Sequence, residues 1–226
     1  MFKCHIDMWT QASEGLPDPA GPGRTWHTTG WAVVSGCRRM PPCMLPTWYD
    51  LPCGTAAEGA TVSVTDHGAQ VSDIRQLVMN STTIPSASIH GPSHWARVEA
   101  NGVEIARAIG ADQLVVVLFA LFHDSMRLND GHDPDHGPRA AEFVRSIRDR
   151  LAFVTDDQIE TLCHACESHT HEVHNSDLTI GACYDGDRLD LWRVGIKPEP
   201  RFLNSPFARN LCVKRNKARG RRTSRK

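Results

Sequence analysis

The chain has 226 residues, enough for one domain of ordinary size plus extensions. Hydrophobic residues make up 40% and charged residues 23%, the balance of a globular rather than a disordered chain. The formal net charge of −1 gives the molecule as a whole no bias toward polyanions or membranes, and the longest apolar run, Leu114 to Phe122, is half of the ~18 residues a membrane span needs.

The first residues, "MFKCHIDMWTQASEGLPDP", lack the apolar core of a signal peptide, so the expectation is a cytoplasmic protein whose eight cysteines are mostly reduced. Residues 1–80 read as an irregular Pro/Gly-rich extension ("GLPDPAGPGRTW", "RRMPPCMLPTWYDLPCG") with four of the six tryptophans. Only "GATVSVTD" suggests a short strand there. Cys37, Cys43 and Cys53 are separated by zinc-like distances but without regular spacing. Met79 is an alternative start, which would make the extension a mis-assigned beginning.

From Ser88 the pattern turns helical, and 88–205 reads as one domain. Ser93 is the expected N-cap of a helix to Ile109 whose stripe is Trp95, Val98, Gly102, Ile105 and Ile109, closed by Gly110. Asp112 caps the next helix, "QLVVVLFALFHD", apolar all round and therefore central. Pro138 suits the first turn of a third helix with the stripe Ala140, Val144, Ile147 and Leu151. Thr155 to Gln158, "TDDQ", is a capping box that opens a fourth. "DGDRLDLWRVG" gives a short fifth helix closed by Gly195 and stopped by Pro198. Short connections and no convincing strand predict an all-α bundle. Residues 206–226 end in "KRNKARGRRTSRK" and read as a disordered basic tail, the one part of the chain suited to nucleic acid.

Twelve histidines are many for this length, and several sit where these helices point inward. His94 lies in the first turn of the first helix, His123 and Asp124 end the central one, and His136 precedes Pro138. In "LCHACESHTHEVH", His169 falls about 20° around the helix from Leu162 at 100° per residue, on the apolar side with Cys166. His164 and His171 face the other way, and His132 falls in a loop. Cys163 and Cys166 read as core thiols, and Asp187 shares a side with Asp190, Leu191 and Val194. Buried imidazoles and carboxylates are costly unless something takes their lone pairs. A divalent transition metal (Mn, Fe, Co, Ni or Zn) does so, and two ions about 3.5–4 Å apart become feasible if His136 and His169 join with Asp124 bridging.

The ordered set "SHWARV", "LFALFHDS" and "YDGDRLD", with "DHGPRAAEF" and "CESHT" between, resembles the HD-domain superfamily of metal-dependent phosphohydrolases over roughly residues 88–200. The resemblance implies an HD-type helical bundle and hydrolysis of a small phosphorylated substrate, with nucleotides among the candidates, by metal-activated water. It assigns His94, His123, Asp124 and Asp187 to a first metal and His136 and His169 to a second. Many single-metal nucleotidases of the superfamily carry a Glu three residues after the HD aspartate, where this chain has Arg127. Phosphate calls for guanidinium clamps, for which Arg127, Arg97 and Arg139 are the candidates; Asp130 or Asp133 is the candidate proton acceptor. The same ligands would serve a di-iron oxygenase, and a non-catalytic metal- or nucleotide-binding module is the third reading. No segment of the sequence specifies an oligomeric state.

Overall fold

The all-apolar segment organises the fold. In a computed structural model, which describes residues 67–223, it becomes the helix Gln113–Phe122, buried at every position from Leu114 to Phe122. Seven α-helices and no strand occur among the described residues. They are α1 (Gly68–Ser81), α2 (Pro92–Ile109), α3 (Gln113–Phe122), α4 (His136–Ser146), α5 (Asp156–Ser168), α6 (Leu178–Arg188) and α7 (Pro206–Thr223). Short 3-10 turns cover Arg148–Leu151, Leu191–Val194 and Pro200–Phe202. α3 packs against α2, α5 and α6, and α4 lies on α5.

Local chemistry sets the helix ends. Asp112 caps α3 by accepting from the amides of Leu114 (2.8 Å) and Val115 (3.1 Å), and its other oxygen takes Gln158 Nε2 at 2.6 Å, tying α3 to α5. Thr155 and Gln158 form the expected capping box. Gly110 closes α2 in the left-handed conformation at φ 75°.

Two glycines allow the approaches that bring polar residues together. A Cβ on Gly186 would stand 3.0 Å from the Val98 carbonyl and 3.1 Å from the backbone of Gly102, so α2 and α6 touch backbone to backbone beside His94 and Asp187. A Cβ on Gly137 would collide with the Cys166 carbonyl, so the start of α4 is pressed onto the end of α5.

Several elements differ from the sequence reading. α1 lies inside the segment read as irregular; Val71, Ile74 and Val78 are buried at helical spacing, and a chain starting at Met79 would lack all three. Residues 1–66, with "GATVSVTD", Cys37, Cys43 and Cys53, lie outside the described residues. The N-cap of α2 is Gly91 with Pro92 as the first helical residue, not Ser93. α6 begins at Leu178 because Asp177 accepts from the amides of Thr179 and Ile180, and the chain after Arg188 tightens into a 3-10 turn closed by Gly195. The stretch read as a disordered tail is α7. Ser205 Oγ accepts from the Ala208 amide at 3.0 Å, Pro206 supplies the first residue, and Ala208 and Cys212 are buried. No helix among the described residues is long and apolar enough to cross a membrane.

The α2–α6 contact has a direct test. Gly186→Ala should lower unfolding stability by about 1–3 kcal/mol through overpacking, read as a lowered urea midpoint at unchanged m-value.

Candidate metal centre

The helices converge their ends on one buried cluster. His123 is the C-cap of α3, with Asp124 next to it; His169 is the C-cap of α5. His136 is the first residue of α4, His94 sits in the first turn of α2, and Asp187 in the last turn of α6. All six are buried. Donor atoms of His94, His123 and Asp124 lie within 4.8 Å of one another, and so do those of Asp124, His136 and His169. Asp124 belongs to both groups. Its Oδ2 is 3.5 Å from His94 Nε2 and 3.6 Å from His123 Nε2, while its Oδ1 is 3.1 Å from His136 Nε2 and 3.8 Å from His169 Nε2. Asp187 Oδ1 stands 3.3 Å from His94 Nε2.

The hydrogen bonds around the imidazoles fix which nitrogen carries the proton. His94 Nδ1 meets Asp190 Oδ2 at 2.8 Å. His123 Nδ1 meets the carbonyls of Phe119 and Ala120, both at 3.2 Å. His136 Nδ1 meets the Asp133 carbonyl in a short contact, and His169 Nδ1 meets the Cys166 carbonyl at 2.7 Å. Carbonyl and carboxylate oxygens only accept, so each Nδ1 is assigned the proton and each neutral ring turns an Nε2 lone pair inward. The lone pairs then face each other, His94 against His123 at 3.1 Å and His136 against His169 at 3.1 Å. Two imidazole nitrogens and a carboxylate oxygen meet in each buried group, with Arg127 Nη1 also 3.1 Å from His136 Nε2, and the donor sets fit a divalent transition metal.

The electrostatics agree at His123 and His136 and run the other way at His94. Burial, against the charges of Asp124 and Asp187, pushes His123 down to about 3, so its ring is neutral at ordinary pH. Burial also lowers His136. At His94 burial acts in the same direction, but hydrogen bonds to Asp187 and Asp190 outweigh it and raise the ring. Burial would raise both acids. The imidazoles of His123 and His90 and the bonds from His136 and His169 instead hold Asp124 well below the usual carboxylate range, and His94 and Arg193 do the same for Asp187.

The arginines expected to meet phosphate each have partners within the fold. Arg127 is buried, and its guanidinium donates to the carbonyls of Asn129 and Gly131 and stands 3.5 Å from Asp124 Oδ1 and 3.0 Å from His136 Nδ1. Arg139 grips both oxygens of Asp133, whose Oδ2 also accepts from the Leu128 amide at 2.8 Å. Arg97 donates to Asp190 Oδ1 at 2.7 Å. Asp130 is exposed, and its carboxylate takes a short hydrogen bond from Ser88. The contacts of Arg127, Arg139 and Asp130 brace the turn from Ser125 to Asp135.

Two residues at the cluster escaped the sequence reading. His90, one helical turn before His94, donates Nδ1 to Asp124 Oδ2 at 2.7 Å. The side chain of Arg193 is 6% exposed, with Nε on the Ile89 carbonyl at 3.0 Å. Its Nη1 has no hydrogen-bond partner and lies 3.9 Å from Asp187 Oδ1 and 4.0 Å from Asp190 Oδ2. Its spacing from Asp190, three residues on one side of a turn, is the only signal the sequence offers. His164, His171 and His132 are exposed, as expected. Cys163 and Cys166 are buried thiols, and burial raises Cys163 to about 11, which keeps it protonated and a poor ligand.

Comparisons with known proteins agree with this geometry. The HD domain family model matches residues 93–199. No curated protein matches the chain. A crystal structure of a predicted HD superfamily hydrolase from an uncultured Thermotogales bacterium has the same fold, with a TM-score of 0.55 and 21% identity over 72% of this chain and 96% of that one. The family match and the all-helical fold show an HD domain at residues 93–199, the stretch that carries all six converging residues.

Proposed function

We propose that this protein is a metal-dependent phosphohydrolase acting on a small phosphate ester, nucleotides included. The observation that carries the reading is the set of four inward Nε2 atoms in two facing pairs, both served by Asp124. His94, His123, Asp124 and Asp187 would hold one divalent transition metal, and Asp124, His136 and His169 a second. The metal supplies charge that brings the pKa of water toward neutrality and offsets charge on phosphoryl oxygens.

The chain's own groups do the rest. Asp190 and the carbonyls of Phe119, Ala120, Asp133 and Cys166 keep each imidazole in its ligating tautomer. Phe119 stacks on His123 with ring centroids 4.9 Å apart and keeps water from that face. The unused Nη1 of Arg193 is a fixed donor beside Asp187, suited to a non-bridging phosphoryl oxygen. Arg127, Arg139 and Asp130 act on the loop that carries Asp133 and His136, so their part is positioning rather than contact with substrate.

Metal-loaded protein (Mn, Fe, Co, Ni and Zn in turn) should release inorganic phosphate from members of a phosphate-ester panel. Oxygen uptake with two bound irons and no phosphate release would instead mark an oxygenase, and bound metal with no turnover of any kind a binding module. His123→Ala should remove both bound metal and activity; retention of the metal would refute the assignment.

Arg193→Met separates phosphate contact from metal binding. Metal content should stay at the wild-type value while kcat/KM falls about 10²- to 10³-fold, the usual cost of one lost oxyanion donor.

Asp190→Asn tests the tautomer argument. Metal affinity, read by competition with a chelator, should drop about 10- to 100-fold while the far-ultraviolet dichroism is unchanged.

A further inference from the structure

α7 carries seven basic residues, Arg209, Lys214, Arg215, Lys217, Arg219, Arg221 and Arg222, and no acidic one, in a chain whose formal net charge is −1. The positive charge is therefore concentrated on one element, and that element is folded. Between α7, α2 and the turn at Leu191–Val194 lies a cleft of about 820 Å³, in the range of sites that take a whole small ligand rather than a single ion. Its walls carry Arg97, Lys197, Arg215 and Arg219, with Asp190 as the one carboxylate and Trp192 as the one aromatic ring.

The lining groups are arranged rather than scattered. Trp192 is held by Nε1 on Asn216 Oδ1 at 3.1 Å, and the guanidinium of Arg219 stands 5.1 Å from its ring centroid. Arg215 is anchored by Asn101 at 2.7 Å and Glu104 at 2.9 Å, which points it along α2. Arg97 is bound to Asp190, yet its side chain keeps 47% exposure. Lys197 and Arg219 are exposed. A pinned indole bordered by guanidinium and ammonium groups recognises an aromatic base joined to phosphate.

The cleft is not the mouth of the metal centre. It reaches Asp190, which holds the Nδ1 edge of His94, whereas the candidate ligand atom of that ring is Nε2 on the opposite edge. Beyond the cleft, exposed Lys214, Lys217 and Arg221 continue the charge along a helix that is about 27 Å long at 1.5 Å per residue, a track longer than one nucleotide.

We propose that the cleft between α2 and α7 binds single-stranded nucleic acid, with a base against Trp192 and the backbone phosphates on Arg97, Lys197, Arg215 and Arg219. The inference concerns a second site and stands whether or not the metal centre hydrolyses phosphate esters.

Fluorescence anisotropy of a short labelled oligo(U) with the full chain tests it. Saturable binding is expected, weakening linearly in log–log form as salt rises. The double variant Lys197→Glu/Arg219→Glu should weaken binding at least about tenfold, and Trp192→Leu about tenfold, which is the usual loss for one stacked base. Trp192→Leu should leave the affinity for inorganic polyphosphate unchanged, and metal content and helical dichroism should match wild type in all variants. No binding, or binding indifferent to the charge reversals, would overturn the proposal. So would a Trp192→Leu variant that binds oligo(U) as wild type does, which would reduce the face to a non-specific polyanion patch. Displacement of oligo(U) by an equal concentration of a nucleoside triphosphate would assign the cleft to free nucleotide instead of a strand.

Discussion

The structure turns on one buried carboxylate. Asp124 is buried, with one imidazole donor, His90 at 2.7 Å, and one guanidinium, Arg127 at 3.5 Å, while the Nε2 atoms of His136, His94, His123 and His169 stand 3.1–3.8 Å from its oxygens, where a bound cation would balance them. An isolated carboxylate would not stay ionised there. Each neighbour needs its own helix end, so the position of Asp124 dictates how α2, α3, α4 and α5 meet. The close approaches at Gly137 and Gly186 are consequences of the same demand.

Helix ends answer that demand for a physical reason. The last carbonyls of a helix have no partner within it. His123 and His169 are both C-caps, and each turns its Nδ1–H back onto carbonyls of its own last turn, Ala120 and Phe119 (which also accepts the His123 amide) in one case and Cys166 in the other. One hydrogen bond thus satisfies the helix, fixes the tautomer and points the free lone pair at the centre. The negative end of each helix dipole also favours positive charge at that spot. A histidine one turn earlier would spend its ring on core packing, and one turn later would be a loop side chain, as His171 is.

How much of this was legible follows from what each feature depends on. Residues placed by their own helix were readable: His94, His123, Asp124, His136, His169 and Asp187 follow from periodicity, caps and order along the chain. Features that depend on contacts between elements were not. His90 and Arg193 reach the cluster only because the turn before α2 meets the turn after α6. Arg127 drew attention by its nearness to Asp124 in sequence, but two of its donors go to the carbonyls of its own loop and its Nη1 faces Asp124 and His136. α7 was hidden by composition. "SP" at Ser205-Pro206 is a helix start, yet the run of basic residues reads as a solvated tail until Ala208 and Cys212 are seen to be buried. α1 was hidden likewise, its three buried residues too few to stand out beside the Pro/Gly-rich stretch before it.

Arg193 brings these threads together. A buried donor left without a partner costs about 1–3 kcal/mol, and more when it carries charge. The fold could quench Nη1 as it quenches Arg127, with a backbone carbonyl, or as it quenches Arg139, with a bidentate carboxylate. Asp187 and Asp190 are both close, but at 3.9 and 4.0 Å neither closes a hydrogen bond, because Asp187 is drawn to His94 and Asp190 is shared between His94 and Arg97. The two acids that neutralise the guanidinium are therefore held off it by the histidine they support. Its charge is balanced while its hydrogen bond stays unspent, which is the state a donor needs in order to meet an anionic oxygen without first breaking a bond to the protein.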